Sequence, residues 1–499
     1  MTNLNLCIDP WLPVRTCAGE VERVSLESFF CRAHEISDLV LVAHERISIM
    51  RLLICIAQRA IDGPCDRDEW EECKDDIVPK SVAYLQQWRH AFNLLGEDGA
   101  FLQPKGVEAC DPSAWGALSK ISLSSAEGNN PTLFDNSAGS SRDFSLAQIA
   151  IDLIAFQNFA PGGTIGVLMW NGQKTGAKSP DSAPAAPCVP SSAMHLFVLG
   201  VNMLETLWLN LCTKEEFGGF RADMGKPIWE LMPSGMSDDV AVKNATTSYL
   251  GRLVPMSRTV KISTDASSCV VARGVTYPVY AEKNVLMYFE TSMTIHQKDD
   301  ETRQIVGATL NKAIWRSLPA LLHRFTRSGY SVSRLSENDL PDRYGIWVGA
   351  LVLDQAKILG TMEDRFEHLG RNHVGISADK VQADLMGLAN RGMSSVKSAI
   401  EEYHNALNDP FENKKNVMQY VEGLYWGRLS ASRDVYLNAL SMSKAEMSAF
   451  EPCRDQWISE VCKAADYAFN LVASRDGVRQ LSAWVRSRQK LSTKWSLNK

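Results

Sequence analysis

Apolar residues recur at helical spacing in a few clear blocks of this chain. Ala43, Ile47, Met50, Ile54 and Ala57 share one face of a helix expected over 39–61, and a second helix is expected over 81–95. Leu146, Ile149, Leu153 and Ile154 mark another, opened by the S-x-x-Q spacing of a capping box at Ser145 and Gln148. Residues 197–211 are mostly apolar and read as a buried helix; 302–325 reads as a helix broken at Pro319. Strand signals are shorter. Leu6–Arg15 is a strand-like run with two prolines, which confine it to a sheet edge or turn, and β-rich pieces fall at 260–262, 270–271 and 285–289. Apolar positions on both sides of Asn171-Gly172 predict a hairpin. Ile346–Leu353 is an apolar strand candidate, and Pro, Ala and Ser make 178–192 a surface loop.

From about Ser377 the pattern changes to long amphipathic helices with short joins. Val396, Ile400, Tyr403 and Leu407 form one stripe; Trp457, Val461, Ala464, Ala468 and Leu471 form a second; Val478, Leu481 and Val485 form the last. Pro452 is placed at a helix start, where its missing N–H costs least. The expected architecture is α+β: a mixed domain over 1–376 and a helical bundle over 377–499.

Composition narrows the function. The 499 residues are 45% hydrophobic and no apolar run is long enough for a membrane span, so a globular protein is expected. The N-terminus lacks the basic-then-apolar order of a secretion signal, which makes a cytoplasmic location the expectation. Twelve scattered cysteines without a C-x-x-C pair fit reduced thiols and no thiolate zinc site. A net charge of −6 excludes a generally basic coat, yet Arg475–Lys499 carries seven basic residues, Arg479, Arg486 and Arg488 among them, against the single acid Asp476.

Catalytic motifs are sparse. Residues 166–175 approach a phosphate-binding loop, but five residues separate Gly166 from Gly172 and Gln173 precedes Lys174-Thr175, so the hairpin reading is preferred. His368 and His373, near Glu363, Asp364 and Glu367, offer a possible metal-dependent nuclease centre; a solvated helix end explains them as well. No catalytic set and no cofactor site is assigned.

The chain is organised around 127–166, where two backbone-rich loops flank one helix. The first loop holds Asn129, Asn130, Phe134, Asp135 and Asn136; the second holds Pro161-Gly162-Gly163. Asn-Asn-Pro can be a turn former, Phe134 a core anchor, and Pro-Gly-Gly a helix stop. Against those readings, the order of Asn5–Arg15 (NLCIDPWLPVR), Phe101–Val107 (FLQPKGV), Pro161-Gly162-Gly163 and Phe197-Val198-x-Gly200 resembles the CasA-type large subunit of type I-E CRISPR Cascade. The resemblance runs the full length and implies a four-helix bundle at the C-terminus and a DNA-recognition subunit that is not an enzyme. Such a subunit reads a protospacer-adjacent motif in double-stranded DNA, opens the duplex for R-loop formation, and works with the guide RNA, the other Cascade subunits and an effector helicase-nuclease.

By that resemblance Asn129 to Asn136 and Gly162-Gly163 read the motif, Asp354, Gln355 and Ala356 form the wedge, and Arg479, Arg486 and Arg488 meet phosphates of the displaced strand. The family's lysine finger falls near 270–276, where Arg273 is the basic side chain. The chemistry agrees, because the minor groove is about 6 Å wide and favours glycine backbone and amide side chains, and apolar side chains can enter base steps. Some members carry a cysteine-ligated zinc; without matching cysteine pairs no metal is expected here. A scaffold without DNA contact is the remaining alternative.

Overall fold

The computed structural model describes residues 3–493 apart from 126–143, 162–165, 177–188, 191, 218–222, 279–280, 283–284, 287, 294, 298–302, 323–339, 355–356, 371–372, 374–375 and 443–446. The chain forms two compact units. One takes in Met1–Leu310 and Tyr344–His368, and the other Asn311–Thr326 and Leu369–Lys499.

The first unit is mixed. A three-stranded antiparallel sheet places Leu12–Thr16 between Val21–Val24 and Ile36–Leu39. The helix Ala43–Ala60 follows, and it is buried on nearly every side, so its apolar stripe understates how deeply it lies. Arg51 shows how the helix tolerates this. Its guanidinium, fully buried, donates to Glu290 at 2.5 Å, to the Arg252 carbonyl at 2.6 Å and to the Leu253 carbonyl at 3.2 Å. Burial opposes ionisation of Glu290, but the Arg51 charge overrides it and holds that carboxyl down at about 2.

The helix Leu146–Phe159 packs on Ala43–Ala60 and is buried along almost its whole length. Ser145 caps it, its hydroxyl accepting from the Gln148 amide at 3.2 Å. Gln148 does not reach back to complete a capping box. Its side-chain amide instead donates to Glu45 at 3.1 Å and to Asp152 at 3.0 Å. Two buried carboxylates therefore share one amide group. Burial, with the Glu45 charge adding to it, pushes the Asp152 carboxyl up to about 7.

Two expected helices are revised. Residues 197–211 divide into the strand His195–Leu199 and the helix Met203–Asn210, because Asn202 accepts from the Glu205 amide and starts a new helix. The strand is claimed by tertiary pairing with Arg343–Asp354, which in turn neighbours Lys357–Gly370. Residues 302–325 hold the short strand Arg303–Ile305, a 3-10 turn Ile314–Ser317 and the helix Leu318–Leu322, with Pro319 in its first turn. The hairpin at Asn171-Gly172 forms as expected, both residues having positive φ, 46° and 77°.

Among its described residues the second unit contains four long helices, Ile376–Leu407, Lys414–Ser430, Met447–Val472 and Val478–Thr493, with a shorter Arg433–Ser441. Trp315 belongs here, buried among Trp426, Tyr436 and Trp457 at ring distances of 6.2, 5.6 and 6.1 Å. Two details depart from the pattern. Pro452 lies inside Met447–Val472 rather than at its start. Val478, Leu481 and Val485 are exposed, at 88, 48 and 52%, as is Leu471 at 54%. The inward face of the last helix is Ala483, Ser487 and Leu491, small enough at two positions to let Ile376–Leu407 approach closely.

The shared amide at Asp152 gives a pH test. Its folded pKa lies above the unfolded value of about 3.9, so its contribution to stability is fully present below pH 4 and is lost as pH rises toward 7. Asp152→Asn is expected to flatten that part of the stability profile and to raise stability at pH 8 by up to about 4 kcal/mol. Urea midpoints at pH 4.5 and pH 8 check it; an unchanged slope in the variant contradicts the assignment.

Candidate nucleic-acid interface

The best-defined part of the candidate interface is the way the chain enters and leaves 162–165. Gln157, in the last turn of Leu146–Phe159, is fully buried, and its side chain pairs with the backbone of Arg258 as a strand would. Its Oε1 accepts from the Arg258 amide and its Nε2 donates to the Arg258 carbonyl, both at 2.9 Å. Four residues on, the Pro161 carbonyl accepts from Arg258 Nη2 at 2.5 Å. On the far side, Gly166 forms a parallel bridge with Ala272. A Cβ on Gly166 would lie 2.6 Å from the Val271 carbonyl oxygen, so the close approach requires glycine.

Both anchors lie on one hairpin. Arg258–Ile262 pairs with Cys269–Arg273, and Arg258 and Arg273 stand directly opposite each other. Arg273, half-buried, donates from Nη2 to Thr276 Oγ1 at 3.0 Å, and its Nε has no partner among the described residues. Arg258 is 1% exposed; burial lowers its pKa to about 10, which leaves it charged at neutral pH. Like charges facing across a strand pair are unfavourable without an anion nearby. The same hairpin also holds the approach to the first loop, since Gly116 and Cys269 exchange two backbone hydrogen bonds of 2.9 Å. The turn Leu118–Ile121 packs between this strand and Leu146–Phe159.

The remaining candidates divide as follows. Asn129, Asn130, Phe134, Asp135, Asn136, Gly162, Gly163, Gln355 and Ala356 lie outside the described residues. Asp354 is the exposed last residue of Arg343–Asp354, and Lys357 opens the neighbouring strand, so 355–356 join two adjacent strands of one sheet. Ser192 fixes that strand end: its hydroxyl accepts from the Leu353 amide at 3.0 Å and donates to the Leu353 carbonyl at 3.3 Å.

Each of the three C-terminal arginines has a partner within the bundle. Arg479 donates to the Leu407 carbonyl at 3.1 Å, where it also meets the negative end of the helix Ile376–Leu407. Arg486 pairs with Glu402 at 2.6 Å and Arg488 with Asp466 at 3.1 Å. The Arg486 side chain is 70% exposed, so a phosphate can compete for it.

His373 is buried, its Nδ1 beside the amide and carbonyl of Gly370 at 2.9 and 3.1 Å, and burial lowers its pKa. Among the described residues no group of three or more His, Cys, Asp or Glu is arranged to hold a metal ion, and no helix among them is long and apolar enough to cross a membrane.

Sequence reasoning missed Arg258 and Gln157. Gln157 ends an apolar run, a cue that marks burial but not the partner, and Arg258, between Ser257 and Thr259, carries no local cue at all. The motif Phe101–Val107 proves architectural: Gln103, buried, accepts from the Ile262 amide at 2.8 Å and donates to the Leu94 carbonyl at 2.7 Å, while Lys261 donates to the Val107 carbonyl at 2.9 Å.

A large mixed unit with a separate helical bundle is the architecture of a known group of proteins. The sequence matches the family of CRISPR-associated protein Cse1 over residues 5–466. The chain belongs to that family, the CasA-type large subunits. A CasA/Cse1 protein of Thermus thermophilus is 32% identical over 243 residues, covering 48% of this chain and 44% of that protein. Less than half the length of that relative is therefore matched in sequence. In structure, Thermus thermophilus CasA (Cse1) matches with a TM-score of 0.74 at 20% identity, covering 99% of this chain and 100% of the other. Cse1 from Acidimicrobium ferrooxidans matches at 0.75 and 17% identity, covering 99 and 98%. A chain of a CRISPR RNA-guided surveillance complex matches at 0.68 and 17% identity, covering 99 and 100%. At these identities the likeness extends to the fold.

The Gly166 anchor is testable alone. Gly166→Ala must displace backbone, and a loss of about 1–3 kcal/mol is expected. A urea midpoint equal to that of the unsubstituted chain contradicts the close approach.

Proposed function

We propose that this chain is the large subunit of an RNA-guided CRISPR surveillance complex, that it reads a protospacer-adjacent motif in double-stranded DNA, and that it pries the duplex open beside the motif. It works in the cytoplasm with the guide RNA and the other complex subunits, and it helps recruit the effector helicase-nuclease. Its own role is recognition rather than catalysis. Family membership supports the complex; the carrying observation for motif reading is the double anchoring of Pro161 and Gly166 on the strand pair that bears Arg273.

A groove about 6 Å wide admits backbone and small side chains, and a reader gains discrimination only if it is held in register. Gly162 and Gly163 supply the approach, Asn129 and Asn130 supply amides that both donate and accept, and Phe134 supplies an apolar surface for sugars or a base step. Asp135 and Asn136 complete that segment, and Arg273 offers a cation at the groove edge. Asp354, Gln355 and Ala356, at the junction of two paired strands, act as the wedge. Unstacking costs a few kcal/mol per base step, offset by guide pairing and by phosphate contacts from residues such as Arg479, Arg486 and Arg488.

In the assembled complex, the double variant Gly162→Ala/Gly163→Ala is expected to abolish motif discrimination in a gel-shift assay while assembly survives. Retained discrimination removes this segment from motif reading. Gln355→Ala is expected to slow strand opening without changing initial motif binding, read by permanganate reactivity of the displaced strand; an unchanged opening rate removes the wedge role.

A further inference from the structure

Arg258 is an expensive residue for its position. Taking a guanidinium out of water costs several kcal/mol unless a carboxylate pairs with it, and among the described residues none does. Its two side-chain hydrogen bonds go to backbone carbonyls, Ser257 at 3.3 Å and Pro161 at 2.5 Å. The first is to its own chain neighbour. The second crosses to the residue that opens the glycine segment.

The surroundings make that second bond a fixed one. Gln157 locks the Arg258 backbone from both its amide and its carbonyl. A Cβ on Gly274, just past the opposite strand, would lie 2.7 Å from the Arg258 backbone, so the chain there comes close against it. The side chain therefore starts from an immobile backbone and ends on the Pro161 carbonyl. An apolar side chain of similar volume would pack here without the desolvation cost, but it would leave the Pro161 carbonyl without this donor.

We infer that Arg258 is a positioning residue for Pro161, holding its carbonyl where the chain enters 162–165, and that this hold is needed for discrimination between flanking DNA sequences. The inference rests on the reading that this segment contacts the motif. Arg258 does not itself touch DNA; it acts through the main chain of the segment. Losing the bond releases the Pro161 carbonyl while the Gly166 anchor remains. The loss falls on discrimination between flanking sequences and leaves sequence-independent attraction to DNA intact.

The test uses the full chain assembled with its partner subunits and guide RNA. The probe is a guide-matched duplex whose flanking bases are randomised, with sequencing of the bound fraction. Arg258→Met is expected to lower enrichment of the preferred flank about 10- to 100-fold, with unchanged assembly and unchanged affinity for duplex lacking a matched target. Arg258→Lys, which keeps a charged donor of similar reach, is expected to restore most of the enrichment. Gly162→Ala/Gly163→Ala is run beside them. Normal enrichment in Arg258→Met, with enrichment lost in the glycine variant, overturns the positioning role alone. Normal enrichment in the glycine variant overturns the reading beneath it, and this inference with it. Should Arg258→Met fail to assemble, Arg258→Gln, a shorter and uncharged donor, carries the test: reduced enrichment supports the role, and enrichment equal to that of the unsubstituted chain overturns it.

Discussion

The side-chain amide of Gln157, bonded to both backbone groups of Arg258, is the joint on which the candidate interface depends. It ties the end of a buried helix to the first residue of a strand, and the Arg258 side chain then returns to the helix side to hold Pro161. Because Gln157 and Arg258 are buried, each of their donors must be matched or its desolvation is uncompensated. The arrangement is consequently stiff. Under the proposed function, stiffness at this joint favours discrimination over simple adhesion.

Deep charge pairs hold the platform beneath. Arg51 and Glu290 join the helix Ala43–Ala60 to distant parts of the first unit. Glu45 and Asp152 share the Gln148 amide where that helix meets Leu146–Phe159. The two cases differ in energy. Glu290 is stabilised in its charged form by a guanidinium, whereas Asp152 is kept protonated to higher pH by burial and by a second carboxylate. The helix between the two candidate loops thus trades some stability near neutral pH for a polar contact that fixes its orientation.

Much of this was legible in sequence where one local signal decided the outcome. Ser145 capping, the Asn171-Gly172 hairpin and the apolar face of Ala43–Ala60 each follow from a few neighbouring residues. Legibility failed where a tertiary partner decided. Residues 197–199 are apolar enough for a helix but are claimed by the strand Arg343–Asp354. Trp315 is drawn out of an expected helix into the aromatic core of the bundle. Val478, Leu481 and Val485 follow helical spacing yet face outward, because Ala483 and Ser487 pack more closely against the neighbouring helix. In the candidate interface, family resemblance pointed to Pro161-Gly162-Gly163 and to Arg273. The bond from Arg258 to Pro161 joins residues 97 positions apart and leaves no periodic trace.

Amide hydrogen exchange in the assembled complex, with and without guide-matched duplex bearing its preferred flank, tests the central claim most directly. A motif reader anchored at Pro161 and Gly166 should gain protection on DNA binding across 162–166 and 129–136, while exposed bundle positions such as Tyr467 and Leu471 stay unchanged. Protection confined to the bundle, with exchange at 162–166 unaltered by the preferred flank, would contradict the account.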